Sequence, residues 1–254
     1  MVQKLALVTG ASSGIGEALA QRIAADGVDL ILVARREDRL RALAAELPVE
    51  THCLPLDLTD RGAPDELMRE VARYGRPIDV LVNNAGIGHA GPFAREPLEQ
   101  HLKVVDLNIR ALVELSRRVL PSLIERRGGG ILNVASTAAF LPGPNVAVYY
   151  ASKAFVLSLS EALSEECRGT GVTVTALCPG PTNSEFGSVS GMANSRLFRT
   201  IKRMSSAEVA DVGWTAFRRG KRVVVPGWQN RLSSAVTRFG PRAFLLPVVR
   251  HLQT

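Results

Sequence analysis

Three features of this 254-residue sequence predict an α/β fold, a doubly wound parallel sheet of about seven strands with helices on both faces. Short apolar runs alternate with longer helix-like runs along the chain, as expected of parallel strands joined by crossovers. The first run, Lys4 to Val8, enters the glycine-rich turn Thr9-Gly10-Ala11-Ser12-Ser13-Gly14-Ile15-Gly16, and a helical pattern follows. No Pro/Ser/Gly-rich linker and no repeat divides the chain, so a single domain is expected.

The elements follow in order. Leu5–Val8 reads as the first strand and Gly16–Ala25 as the first helix. Asp29–Ala34 is a second apolar strand, and Arg36–Glu46 a charged, solvated helix. His52–Leu56 gives a third strand, ending in the helix-capping loop Asp57-Leu58-Thr59-Asp60 before a helix over Pro64–Tyr74. Asp79–Val82 is the fourth strand and runs into Asn83-Asn84-Ala85-Gly86. Glu99–Ile124 reads as one long helix with an apolar and a basic face. Gly128-Gly129-Gly130 bounds a buried fifth strand, Ile131–Ala135. A helix over Tyr149–Cys167, a sixth strand over Val172–Cys178 and a seventh over Arg222–Val225 complete the pattern. Residues 182–205 are polar and Gly/Ser-rich, with a short helix expected over Asn194–Lys202; such a segment inside a compact domain is usually functional.

Composition narrows the function. No apolar run is long enough to span a bilayer, and the N-terminus does not read as a signal peptide. Cys53, Cys167 and Cys178 are scattered, which points to a reduced, cytoplasmic protein. Cys and His lack metal-ligand spacing, so no metal is expected. Few aromatics and no binding motif speak against nucleic acid. The net charge of +7 is uneven: no acidic residue follows Asp211, and residues 212–254 alone carry +8.

Tyr149 and Lys153 lie one helical turn apart in Tyr-Tyr-Ala-Ser-Lys and point the same way. A nearby ammonium favours phenolate, so Lys153 is expected to lower the Tyr149 pKa towards the range of a useful general acid or base. Ser136 stands thirteen residues earlier, just past the fifth strand, where open α/β sheets place their ligands. The glycines of the first turn let a pyrophosphate approach the backbone at the helix N-terminus.

These residues together resemble the short-chain dehydrogenase/reductase family of ordinary, roughly 250-residue length. Thr9, Gly10, Gly14 and Gly16 match its glycine motif, and Asn83, Asn84, Ala85 and Gly86 its Asn-Asn-Ala-Gly. Ser136, Tyr149 and Lys153 match its Ser and Tyr-x-x-x-Lys elements, and Pro179-Gly180 its Pro-Gly pair. The resemblance covers residues 4 to 185 and implies a Rossmann-type fold and hydride transfer between a nicotinamide and a carbonyl or alcohol carbon. It implies Tyr149 as proton donor, Lys153 on the nicotinamide ribose, Ser136 on the substrate oxygen, and Asn108 as holder of a relay water. It places Asp57 and Leu58 at the adenine, Asn84, Ala85 and Gly86 along the adenosine side, and Pro179, Gly180 and Thr182 at the nicotinamide, with Ser184 where the family commonly has Thr.

The second strand ends in Ala34 rather than an acidic residue and is followed by Arg35-Arg36, which favours NADP(H) over NAD(H). Arg35 is the expected 2′-phosphate anchor, helped by Ser12, while Arg36, Arg39 and Arg41 read as the solvated face of the helix. Ser13 departs from relatives that carry Lys or Arg there. Phe140, Leu141, Pro142, Val146 and Val148 are expected to wall an apolar substrate pocket, and the 182–205 insertion to cover it.

Residues 1–226 then form the catalytic domain and 227–254 a basic amphipathic extension. That extension could pack on the domain, on a partner subunit or on a membrane surface. The resemblance implies a homodimer or homotetramer built on the two long helices. Two other functions stay open, a non-catalytic dinucleotide-binding regulator and a peripheral membrane reductase of lipid carbonyls.

Overall fold

The computed structural model describes residues 3–192, 203–239 and 242–253. The chain runs β1 (Leu5–Thr9), α1 (Gly14–Ala24), β2 (Asp29–Ala34), α2 (Glu37–Glu46), β3 (Thr51–Pro55), α3 (Ala63–Arg73) and β4 (Val80–Asn83). It continues through α4 (Leu98–Val105), a π-helical stretch (Asp106–Ala111), α5 (Leu112–Glu125), β5 (Gly130–Val134), α6 (Ala147–Glu166) and β6 (Thr173–Leu177). The short strands β7 (Thr182–Asn183) and β8 (Met204–Ser205) pair with each other in parallel, and β9 (Val223–Val224) joins the main sheet. That sheet has seven parallel strands in the order β3-β2-β1-β4-β5-β6-β9.

The strands are apolar on both sides because both sheet faces are covered. Along β1 the alternation of strand side chains sends Ala6 and Val8 to one core and Leu5 and Leu7 to the other. The first core takes Leu19 and Ile23 of α1 together with Trp214 and Phe217 of the helix Ser206–Arg218. The second takes Leu67 and Val71 of α3 and Leu115, Val119 and Leu123 of α5. The sheet order reverses where β1 lies between β2 and β4, and ligands of such sheets bind at the carboxyl ends beside that reversal.

Two elements differ from the sequence expectation. The long helix over Glu99–Ile124 is interrupted by the π-helical turn, which carries Asn108 into a buried position. The helix Ser206–Arg218 has no counterpart in the sequence reading, although Ser205 and Glu208 form a reciprocal capping box at its start. The insertion begins with β7 and the single turn Phe186–Val189; the short helix expected over 194–202 lies outside the described residues. Among its described residues the extension forms two helices, Trp228–Phe239 and Arg242–Gln253.

Candidate active site

The first wall of the cleft is the glycine turn. Gly10 and Gly14 have φ of 65° and 62°, a left-handed conformation that side chains resist. Gly16 serves close packing: a Cβ there would strike the Gly10 carbonyl and the Asn84 amide. The turn is tied to β4 by Thr9 Oγ1, which accepts from the backbone N–H of Asn84 and of Ala85, each at 3.0 Å. Asn84 Nδ2 donates back to the carbonyls of Thr9 (2.9 Å) and Gly10 (3.1 Å). Ser12, Ser13 and Ile15 therefore stay on the cleft side, at the N-terminus of α1, where unpaired N–H groups favour an anion.

The second wall comes from β5 and α6. Ser136 lies just past β5; its hydroxyl accepts from Ala138 N–H at 3.1 Å and donates weakly to the Pro179 carbonyl at 3.4 Å. Tyr149 and Lys153 sit one turn apart on α6, both buried, and Lys153 Nζ donates to the Val134 carbonyl at 2.8 Å. A Cβ on Gly86 would come within 3.3 Å of both Lys153 Nζ and Asn108 Oδ1, a tight approach that would press on the two side chains. Asn108 is clamped at both ends of its amide. Its Oδ1 accepts from Ile87 N–H (2.9 Å), and its Nδ2 donates to Ile87 O (2.9 Å) and Ser152 Oγ (3.0 Å).

The protonation states differ from the expectation that Lys153 lowers the Tyr149 pKa. Burial pushes the Tyr149 phenol above its ordinary value, and the Ser136 hydroxyl acts in the opposite direction without overcoming it. Burial also lowers Lys153 to about 8, so the ammonium that was to assist the phenol is itself weakened by desolvation. Burial likewise pushes the neighbouring Cys178 thiol up to about 12.

At the far end of the cleft both Arg35 and Arg36 line the cavity. Arg35 is 67% exposed, with its guanidinium 3.8 Å from the Asp57 carboxylate. Arg36 is not a solvated helix residue: its guanidinium donates to Ser12 Oγ (3.2 Å) and Ser13 Oγ (2.9 Å) and pairs with Glu185 at 2.8 Å. Arg39 pairs with the other oxygen of Glu185 at 2.7 Å. The two arginines hold the Glu185 carboxyl at about 2, well below the usual range. Because Ser12 and Arg36 are far apart in the chain, no local pattern pointed to this contact, nor to Glu185.

A cavity of about 340 Å³ joins these parts. It is lined by Gly10, Ser12, Ser13, Gly14, Ile15, Arg35, Asp57, Leu58, Asn84, Ala85, Gly86, Ser136, Tyr149, Lys153, Pro179, Gly180 and Thr182 of the expected set. Gly16 and Asn108 are not among the lining residues; Asn108 Oδ1 stands 3.3 Å from where a Cβ on the lining residue Gly86 would be. The apolar wall is not the expected one. Phe186, Val189 and Met192 of the insertion line the cavity, together with Tyr150, whereas Leu141 and Pro142 face the C-terminal helix residues Leu245, Leu246 and Val249. His89, away from the cleft lining, is paired with Glu96 at 2.7 Å. Among the described residues no cluster of His, Cys, Asp and Glu could hold a metal ion.

A seven-stranded doubly wound sheet with a Ser, Tyr and Lys gathered beside a glycine turn defines a dinucleotide-dependent oxidoreductase. The short chain dehydrogenase family model matches residues 4–193, and the chain belongs to that family, whose members are NAD(P)-dependent oxidoreductases of alcohol and carbonyl groups. Short chain dehydrogenase MYCFIDRAFT_6125 of Pseudocercospora fijiensis is 41% identical over 189 residues, 72% of this chain and 61% of that protein. The NADP-dependent 3-hydroxy acid dehydrogenase YdfG of Salmonella typhi is 40% identical over 187 residues, 73% of this chain and 75% of that protein. Among solved structures, a short-chain dehydrogenase from Sphingobium yanoikuyae in complex with NADPH is 34% identical, with a TM-score of 0.82, covering 91% of this chain and 93% of that one.

The cleft residues fit a nicotinamide dinucleotide. The glycine turn is left-handed where the backbone must come close, and Ala34 leaves no carboxylate at the end of β2 to repel a 2′-phosphate.

Proposed function

We propose that the protein is an NADP(H)-dependent reductase or dehydrogenase of an apolar carbonyl or alcohol, with Tyr149 as its general acid or base. The meeting of Ser136, Tyr149 and Lys153 with the glycine turn in one cleft carries this reading, because a phenol and a hydroxyl placed there can both reach a substrate oxygen beside a bound dinucleotide. When bound, the nicotinamide supplies the hydride in the reductive direction and accepts it in the other. As the carbonyl carbon gains hydride, Tyr149 Oη transfers its proton to the oxygen, giving the alcohol. Ser136 donates a hydrogen bond to the same oxygen and holds it in place. Lys153 binds the nicotinamide ribose and returns a proton to Tyr149, with Asn108 fixing the wall behind it. Reversing these transfers oxidises the alcohol.

Arg36, supported by Ser12 and Ser13, is the proposed 2′-phosphate anchor, and Arg35 assists from the rim. Asp57 and Leu58 flank the adenine. Phe186, Val189 and Met192 favour an apolar substrate. Exposed Leu98, Leu102, Val105 and Val113 on α4 and α5 support self-association through the long helices.

Titration with NADPH and NADH tests the cofactor, followed by turnover with a panel of ketones and aldehydes. Tighter NADPH binding and reduction of apolar ketones are expected. Equal binding of the two nucleotides would remove the Arg36 assignment, and binding without turnover would leave a non-catalytic regulator.

A further inference from the structure

The helix Trp228–Phe239 is seated with its polar side inward. Ser234 is 6% exposed and Asn230 and Thr237 are half-buried, while Trp228, Leu232 and Val236 are 72%, 60% and 55% exposed. These three apolar residues recur every four positions and so form one stripe along the helix. The inward side gains little from its seat. Ser234 Oγ is buried without a hydrogen-bond partner, and Asn230 spends its amide on the Pro226 carbonyl at 2.8 Å. An amphipathic helix of this kind normally turns its apolar stripe to the core. Here the stripe is left for something outside the fold.

The charge of the tail that carries the stripe indicates what covers it. Arg231 is exposed on the same helix, Arg242 and Arg250 are exposed on the next, and Arg219 and Lys221 are exposed just before it. No acidic residue follows Asp211. Arg222 and Arg218 are paired with Glu165 and Asp26 of other elements, but the tail itself supplies no acid, so two copies of the tail meeting face to face would bring like charges together, which is unfavourable. An anionic bilayer offers the complement, since its headgroups attract the arginines and its acyl boundary accepts the tryptophan and the aliphatic side chains. Tryptophan in particular partitions to that boundary.

We propose that the Trp228–Leu232–Val236 stripe and its flanking arginines seat the protein on an anionic lipid surface. No membrane crossing is involved: among the described residues no helix is long and apolar enough to span. The helix begins beside the cleft, because the Asn230 side chain stands where a Cβ on the cleft residue Gly180 would have to go. Docking would therefore bring one side of the cleft close to the lipid. The proposal does not depend on which nucleotide or carbonyl the site takes.

Co-sedimentation of the full chain with phosphatidylcholine vesicles containing about 30% phosphatidylserine, against phosphatidylcholine alone, tests it. At least about tenfold more pelleting with the anionic vesicles is expected. The chain has two tryptophans and Trp214 is buried, so a blue shift of the fluorescence on vesicle addition reports Trp228. The double variant Trp228→Ser/Leu232→Ser should lose the pelleting about tenfold while keeping the thermal transition and oligomeric mass of the parent. Arg231→Ala/Arg242→Ala should lose the preference for anionic vesicles. Equal pelleting with both vesicle types, or undiminished pelleting of the stripe variant, would overturn the proposal. So would a stripe variant that falls apart into smaller oligomers without vesicles, which would assign the stripe to a second copy of the chain.

Discussion

Lys153 Nζ stands 5.9 Å from the centroid of the Tyr149 ring and gives its hydrogen bond to the Val134 carbonyl instead of to the phenol. The two side chains share a helix face but not a bond. Burial acts on each separately, raising the phenol and lowering the ammonium. In this arrangement burial keeps Tyr149 protonated but makes it a weaker acid, while Lys153 is close enough to neutrality to exchange a proton.

Replacing Tyr149 by Phe removes the transferable proton and leaves the ring. Turnover should fall by about 10²–10⁴ while nucleotide binding changes little. Single-turnover rates and nucleotide fluorescence separate the two effects. Ser136→Ala should lower turnover less, since the hydroxyl positions the substrate oxygen without supplying the proton.

Lys153 predicts a pH signature. Its folded pKa is about 8 against an ordinary 10.5, so between these values the unfolded chain binds more protons than the folded one. Stability therefore rises with pH across this window, by up to about 1.4 kcal/mol per pH unit from this group. The raised Tyr149 acts in the opposite sense above pH 10, where the unfolded phenol ionises first. Denaturant melts of the parent against Lys153→Met between pH 8 and 10 should show the parent gaining relative stability. In the same range the parent's reductive kcat/KM should fall as Lys153 loses its charge.

Arg36 and Arg35 should separate under substitution. Arg36→Ala should weaken NADPH binding by about 10–100-fold, the scale of a lost charge-assisted hydrogen bond, with NADH binding nearly unchanged. Arg35→Ala should have a smaller effect, because its guanidinium is mostly in solvent. Parallel titrations of both nucleotides give the answer.

Asn108→Ala should destabilise the fold by about 1–3 kcal/mol, because it leaves the Ile87 N–H and C=O without their buried partners. A lower Tm with nucleotide affinity retained in the folded fraction is the expected result.

Much of the molecule was legible along the chain. The seven strands of the main sheet were found within a residue or two, because buried parallel strands are continuous apolar runs and their turns need glycine at fixed places. The Tyr149–Lys153 spacing follows from helical geometry alone. The helix Ser206–Arg218 was missed despite its Ser205/Glu208 capping signal, since its apolar residues, among them Trp214 and Phe217, follow a polar, Gly/Ser-rich insertion in which only a short helix over 194–202 was expected.

By itself, then, the sequence determined what is local: strand and helix positions, the glycine turn, and the order of the motifs that identify the family. Tertiary structure decided what depends on distance between remote segments and on access of water. It chose Arg36 over Arg35 for the serines of the first turn and gave Glu185 two arginines. It reversed the Tyr149 shift by burial and turned the stripe of Trp228, Leu232 and Val236 outward. Periodicity states which residues share a face, but only packing decides whether that face meets the core or the solvent, and desolvation follows from that choice.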